Sequence, residues 1–314
     1  MAFISGPSSP FEPPSLIYRV IWSPLHLALS FVHRVLTSAR GSIIPHSESK
    51  IRLVCISDTH TNTIDLPHGD CLIHAGDLTN LGSISEIQAQ IDWLASLDFE
   101  HVVFVAGNHD SYFDARSRLP GDKDSGSLDF KNIHYLQHSA ITLKFPEQGR
   151  KLKLFGAPQI PACGGDEMAF QYDRGDDAWS GTVPDDIDVL VTHTPPRWHL
   201  DLPVGGGCEF LLQEVWRVRP KAHIFGHVHG GRGQEVVFWD EGQRLFESLC
   251  RRQGWWHMLG IWVWLDGLRL LCHDLLGILW TRIWGADIDA TVMINAGVVD
   301  WRGKLSHGSQ IIEL

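Results

Sequence analysis

Apolar residues near the start of the chain recur every third or fourth position: Leu16, Ile17, Val20, Ile21, Leu25, Leu29, Val32, Val35 and Leu36. That spacing predicts an amphipathic helix over 15–39, bent where Pro24 removes a backbone donor. The Pro/Ser/Gly-rich residues 1–15 before it predict disorder, and 40–50 predict a linker. Beyond residue 50 the pattern changes to short continuous apolar runs. Ile51–Ser57, Asp70–Ala75, His101–Ala106, Ile187–Thr192 and Ala222–Phe225 are expected to be buried strands. Further strands are expected at 133–145, 151–156, 235–239, 291–295 and 310–314. Ser83 and Glu86 form a capping box that opens a helix over Ile84–Leu97, with Ile84, Ile87, Ile91 and Leu94 on one face. A second helix covers Glu209–Val218.

Strands alternating with helices, with polar residues just past each strand, predict an α/β fold that binds its ligand at the strand ends. The hairpin-like runs near 133–156 and at the C-terminus predict mixed sheets, packed as a sandwich. Residues 241–289 break the pattern. Within them Leu259, Trp262, Leu265, Leu268, Leu271, Leu275, Leu279 and Ile283 have helical spacing, interrupted by Arg269, His273, Asp274 and Arg282. They predict one or two apolar helices inserted at a loop. The expected organisation is therefore a start, helix and linker over 1–50, then one domain over 51–314 interrupted at 241–289.

Composition narrows the function. A formal charge of −11 over 314 residues argues against binding to a nucleic acid polymer. The six cysteines show no CxxC spacing, and Cys55 and Cys71 lie inside apolar runs, which fits a reducing compartment. The N-terminus has no basic n-region followed by an uninterrupted apolar stretch, so no secretory signal is expected. Arg19, Arg34 and Arg40 against the single acid Glu12 faintly resemble a transit peptide, which leaves mitochondrial import as a minority alternative to a cytoplasmic location. Of thirteen tryptophans, six lie between Trp255 and Trp284. Tryptophan and arginine bordering an apolar face suit a membrane interface, so 16–36 and 255–284 are the candidate membrane contacts; the competing reading is a lid.

The chemistry sits at the strand ends. Asp58 and His60 follow the first strand, Asp77 the second, and Asn108, His109 and Asp110 the third. His193 follows a later strand, and His227 and His229 close Ala222–Phe225. Extended backbone would send His227 and His229 to opposite sides, which suits two neighbouring ions better than one. Carboxylate, imidazole and amide oxygen together favour Mn, Fe, Zn or Mg over a thiolate-loving site. A shared carboxylate can hold two cations about 3.5–4 Å apart.

Asp58-Thr59-His60, Gly76-Asp77, Gly107-Asn108-His109-Asp110, His193 and Gly226-His227-Val228-His229 together resemble the motif set of the calcineurin-like metallophosphoesterases. Cys55-Ile56-Ser57 ahead of the first motif, His193-Thr194-Pro195-Pro196 and Val218-Arg219-Pro220-Lys221 further resemble the metallophosphoesterase-domain-containing (MPPED-type) branch, whose members are reported as phosphodiesterases of cyclic nucleotides or other diesters. The resemblance implies the αββα sandwich, two divalent metals and a small phosphoester substrate. It implies that Asp58, His60 and His229 hold the first metal, that Asn108, His193 and His227 hold the second, and that Asp77 bridges them. His109 would be the general acid with Asp110 as its partner, and metal-bound hydroxide the nucleophile. Some relatives carry Gly in place of the first His of the last motif and are weak enzymes; here that position is His227.

Other features have plainer readings. His74, His101, His134, His138 and His223 lie in or beside strands without motif partners and are expected to be packing or surface residues. Gly205-Gly206-Gly207 and the acids Asp173, Asp176 and Asp177 are expected to be solvated loops. Two alternatives to a soluble-nucleotide phosphodiesterase remain. One is a hydrolase of lipid-linked phosphoesters, since bacterial UDP-diacylglucosamine hydrolases resemble this chain in joining these motifs to an apolar helical insertion. The other is a weakly active, metal-binding membrane scaffold. Phosphoprotein substrates rest on fold alone, and the oligomeric state is left open.

Overall fold

The computed structural model describes residues 6–9, 11–41, 49–122, 126–203, 205–285 and 288–314. Of the expected disordered start and linker, 1–5, 10 and 42–48 lie outside the described residues. The chain divides into two compact units, one formed by 1–43 with 236–292 and the other by 44–235 with 293–314.

The larger unit carries the strands, except that the division falls within two of them, Gly233–Phe238 and Ala290–Asn295. Its order is β1 (Arg52–Ile56), β2 (Cys71–Ala75), α3 (Ile84–Ala95), β3 (His101–Val105), β4 (His134–Tyr135), β5 (Ser139–Phe145) and β6 (Arg150–Ala157). Then come β7 (Ile160–Pro161), β8 (Gln171–Tyr172), β9 (Val189–Thr192), α4 (Glu209–Val218), β10 (Ala222–Phe225), β11 (Gly233–Phe238), β12 (Ala290–Asn295) and β13 (Gln310–Glu313). Two mixed sheets result, in the orders β13-β1-β2-β3-β4 and β11-β12-β10-β9-β6-β5, with β7 and β8 as a small third pair. β1, β2, β3 and β4 run parallel, as do β6, β9 and β10, while β13 and β5 add antiparallel edges.

The parallel strands are the continuous apolar runs because both of their faces are covered. Leu72, Ile73, Val103, Phe104, Val189 and Ile224 are fully buried. Helix α3 starts at the Ser83–Glu86 capping box and lays Ile87, Ile91 and Leu94 on one sheet, against Val54, Ile56, Leu72 and Val102. The expected single run over 133–145 is two strands, because His138 turns the chain in a left-handed conformation (φ 47°).

The smaller unit is helical: α1 (Leu16–Trp22), α2 (Pro24–Ala39), α5 (Glu241–Cys250) and α6 (Ile261–Arg282). The helix expected over 15–39 is two helices rather than one bent one. Ser15 caps α1 through the Tyr18 amide, and Pro24 begins α2 at a position whose missing N–H has no partner to lose. α5 opens on Asp240, whose carboxylate accepts the Gln243 amide. It is the helix that the apolar spacing of 255–284 does not reveal.

Candidate metal centre

Every residue expected to bind metal follows the carboxyl end of a parallel strand, where the chain leaves the sheet and side chains are free to converge. Asp58 and His60 follow β1, Asp77 follows β2, Asn108 and His109 follow β3, His193 follows β9, and His227 and His229 follow β10. Four of these positions take left-handed backbone: Asp58 (φ 57°), His60 (φ 46°), Asp77 (φ 56°) and His227 (φ 66°). Non-glycine residues there are strained, and the surrounding hydrogen bonds hold them in place. The Asp58 amide donates to Gly76 O (2.9 Å), the His60 amide to Asp77 O (3.1 Å), and the His227 amide to the Asp58 carboxylate (3.1 Å).

Asp58, His60, Asp77 and His229 each offer a donor atom, and those atoms all lie within 4.8 Å of one another. His229 Nε2 stands 3.4 Å from Asp58 Oδ1 and 3.5 Å from His60 Nε2. The second set is built around His193, whose Nε2 is 3.0 Å from Asn108 Oδ1 and 3.4 Å from Asp77 Oδ2, with the His227 ring 5.1 Å away. Asp77 is common to both sets, since His60 Nε2 is 3.9 Å from the same Oδ2. All nine residues singled out from the sequence gather in this one region.

The donor chemistry fits divalent cations. His60 Nδ1 meets Thr79 O at 3.3 Å and His193 Nδ1 meets Ala75 O at 2.8 Å. Each carbonyl accepts the Nδ1 proton, so each Nε2 is the nitrogen that faces the carboxylates and would bind a cation once free of its own proton, which is the usual outer arrangement of a metal-binding imidazole. Burial alone would raise the Asp58 carboxyl, but the charge and hydrogen bond of His229 hold it at about 2. Asp77 is likewise buried, and His193, His109 and His60 keep it well below the ordinary carboxylate range. Reciprocally, Asp77 and Asp58 overcome burial and lift His193 to about 9. Burial, with the charge of His193, pushes His227 down to about 3. Two anionic carboxylates, neutral His227 and an amide oxygen make a hard to borderline donor set.

Two expectations change in detail. His227 and His229 do diverge toward different donor sets, but the left-handed turn at His227 achieves it rather than an extended strand. Asp110, expected beside His109, turns away from that ring. Its buried carboxylate accepts the amides of Gly107 (2.8 Å), Thr79 (3.0 Å) and Leu78 (3.2 Å) and the Thr79 hydroxyl (2.8 Å). Burial and nearby Asp77 raise it to about 6 even so. Asp110 thus ties the loop after β2 to the loop after β3. His109 Nδ1 instead meets Asn80 O at 2.9 Å, and its amide donates to Asp77 Oδ1 at 2.8 Å.

Sequence reading missed Asn80 and Asn295. Asn295 Nδ2 donates to Val228 O (2.9 Å) and Leu200 O (3.1 Å), bracing the turn that carries His227 and His229. Its signal was a polar residue closing an apolar strand, the same signal that singled out Asp77. Two glycines are fixed by crowding. A Cβ on Gly226 would lie 2.4 Å from Asp58 Oδ2, and one on Gly76 (φ 97°) would lie 2.4 Å from His193 Nδ1. Of the histidines without motif partners, His74 is fully buried with Nε2 2.9 Å from Thr59 Oγ1, and His223 is fully buried with Nε2 2.8 Å from Thr192 Oγ1. None of the six cysteines forms a disulfide.

Residues 51–231 match the model of a family described as calcineurin-like phosphoesterase. A protein named probable rhamnogalacturonate lyase C, from Emericella nidulans, is 39% identical over 257 residues, which cover 81% of this chain and 23% of that one. Human metallophosphoesterase domain-containing protein 1 is 36% identical over 221 residues, 60% of this chain and 65% of that protein. A UPF0046 protein of Caenorhabditis elegans is 36% identical over 198 residues, covering 58% and 65% respectively. The chain therefore spans less than two thirds of the length of each of these relatives.

Proposed function

The chain belongs to the calcineurin-like phosphoesterase family, and from that premise we propose that it is a dinuclear metal-dependent phosphodiesterase, with cyclic nucleotides as the first substrate class to test. The observation that carries this reading is the pair of donor sets sharing Asp77. When bound, two divalent cations supply Lewis acidity to the phosphoryl group and to the attacking water. Asp58, His60 and His229 would hold one, and Asn108, His193 and His227 the other. Manganese is the metal to try first in vitro, and ligand type alone does not fix the native ion.

His109 is the general acid in this reading. With Nδ1 donating to Asn80 O, the transferable proton is carried on Nε2, the atom that would protonate the departing oxygen. The Asp77 carboxylate anchors the His109 backbone, so the acid and the bridging ligand are positioned together. The preference for diesters over monoesters rests on the motif resemblance to the MPPED-type branch. A lyase activity, suggested by the name of the Emericella relative, is weaker support, because most of that protein lies outside the match.

The test is hydrolysis of bis-p-nitrophenyl phosphate beside p-nitrophenyl phosphate, with Mn²⁺ and after chelation. Metal-dependent turnover favouring the diester is the expected result. A metal-loaded protein inert toward both esters overturns the reading for soluble substrates. One observation favours a second reading, hydrolysis of a lipid-linked phosphoester: the helical unit of the same chain turns apolar side chains outward. Activity on lipid phosphoesters in detergent without activity on nucleotides would select it. A metal-loaded protein inert to every phosphoester would leave a binding scaffold.

A further inference from the structure

In the helical unit α5 buries Leu245, Phe246 and Leu249, but α1, α2 and α6 turn much of their apolar surface outward. The buried residues of α2 are Ser30, His33 and Thr37, while Phe31, Val32 and Val35 on the same helix are exposed. α6 repeats the inversion. Its buried stripe is Val263, Gly267, Leu270, Asp274 and Gly277, and its outward stripe is almost entirely Trp, Leu and Ile. Leu259 is 79% exposed, Trp262 71% and Phe31 68%. α1 buries nothing and exposes Leu16, Ile17, Val20 and Ile21.

What holds these helices together is polar and small. His33 Nδ1 lies 2.9 Å from the Asp274 carboxylate, and its ring stacks on Phe246 at 4.3 Å. Arg40 Nη1 donates to Asp240 at 2.6 Å. Gly267 and Gly277 let α2 and the segment after it approach closely: a Cβ at 267 would stand 3.1 Å from Leu29, and one at 277 would collide with the Arg40 guanidinium. Small residues and buried polar pairs are how helices associate where the surroundings are already apolar, since burying apolar surface then gains nothing. In water the outward stripe would be a contiguous apolar patch of the kind that marks an interaction surface.

We propose that the outward face of α1, α2 and α6 docks on the surface of a lipid bilayer. The charges on the face favour that occupant. Among the exposed residues of the three helices there is no carboxylate and no amide, and the only charged ones are Arg34, Arg269 and Arg282. The segments 1–43 and 236–292 together carry eight basic and eight acidic residues, so the chain's whole net charge of −11 falls on the other unit. On α1, α2 and α6 the exposed charges are all cationic, although Arg269 is paired with the less exposed Asp266 (3.3 Å), and such a face on a neutral unit complements an anionic surface. A protein partner would instead meet exposed donors, the arginine and tryptophan nitrogens, but no exposed carboxylate or amide to accept its own hydrogen bonds, where ordinary interfaces place about one hydrogen bond per 100–200 Å².

Aromatic placement agrees. Trp22 packs edge-on against Trp256 (4.8 Å) near the start of α6, and Trp280 and Trp284 pair (5.4 Å) at its end. Tryptophan favours the headgroup region at the margin of an apolar face. Among the described residues no helix is long and apolar enough to cross a membrane, so the geometry is attachment, with α6 lying along the interface.

The experiment is flotation of the full-length chain with phosphatidylcholine vesicles and with phosphatidylcholine–phosphatidylglycerol vesicles. The chain is expected to float with both, and at least about tenfold more tightly with the anionic ones at low salt. A Trp262→Ser/Leu276→Ser/Trp280→Ser variant should lose about a hundredfold or more in binding with an unchanged far-UV spectrum, because all three side chains are already exposed. Arg34→Gln with Arg269→Gln should remove the anionic preference. If the chain stays in the dense fraction with both vesicles, the proposal is wrong, and sedimentation as a dimer would then assign the face to a second copy. A triple variant that floats as well as the parent also overturns it. None of these readouts depends on phosphoesterase activity.

Discussion

The two units of the chain solve the problem of an interior in opposite ways. In the sheet unit the strands β1, β2, β3, β9 and β10 bury almost every residue, and the buried polar groups that matter collect at the strand ends. In the helical unit α1, α2 and α6 turn many large apolar residues out, and a hydrogen-bonded His33–Asp274 pair sits inside beside the buried Phe246. The first arrangement draws its stability from removing hydrocarbon from water. The second leaves that surface exposed, so the environment that stabilises it has to come from elsewhere. The contrast shows that a period of 3.6 residues announces two faces without saying which one turns inward.

The sheet unit's claim to metal is broken most sharply at the shared ligand. Asp77→Ala should abolish both metal uptake and turnover, a fall of at least about 10³-fold in kcat/KM, read by metal analysis beside diester hydrolysis. His109→Ala should keep its metal and lose about 10²–10⁴ in kcat, most with poor leaving groups. An unchanged kcat on a natural ester would remove His109 from the acid role. The helical unit is probed by acid. Burial, then the charges of Arg19 and Arg34, hold His26 down to about 4. The unfolded chain, with a histidine near 6.5, therefore takes up the proton first. The stability contribution is complete above that value and is lost as pH falls from 6.5 toward 4, up to about 3 kcal/mol. His26→Leu should flatten that loss in denaturant titrations followed by tryptophan fluorescence. The smallest effect expected is on Asp274→Ala, which strands the buried His33 nitrogen at about 1–3 kcal/mol; His33→Leu with Asp274→Leu should recover most of it.

Much of the sheet unit was legible in the sequence because burial on both faces leaves strands as unbroken apolar runs, and each run ended on a residue with ligand chemistry. Helix Glu209–Val218 and strand Ala222–Phe225 fall where the spacing puts them. The rest depended on contacts between residues distant in sequence. Asp110 looked like a partner for its neighbour, but its carboxylate is taken by amides from the loop after β2, some thirty residues earlier. Asn295 braces the histidine turn from a strand about seventy residues later. α5 escaped notice because its apolar positions, Leu245, Phe246 and Leu249, are too few to show a period beside the long tryptophan-rich run. Pro24 was seen, but a bend and a fresh start read alike until the Ser23 amide is found bonded back to Arg19.

If His227 serves the proposed chemistry, its left-handed backbone makes loss of that chemistry an easy evolutionary step. At φ 66° a glycine sits more comfortably than any histidine, so exchanging His227 for glycine would relieve strain while removing the metal contact proposed for it. Selection for stability alone would favour that exchange, and only demand for turnover opposes it. A lineage that stopped needing the chemistry could therefore drift into a stable, inert metal-site relic without ever passing through a poorly folded intermediate.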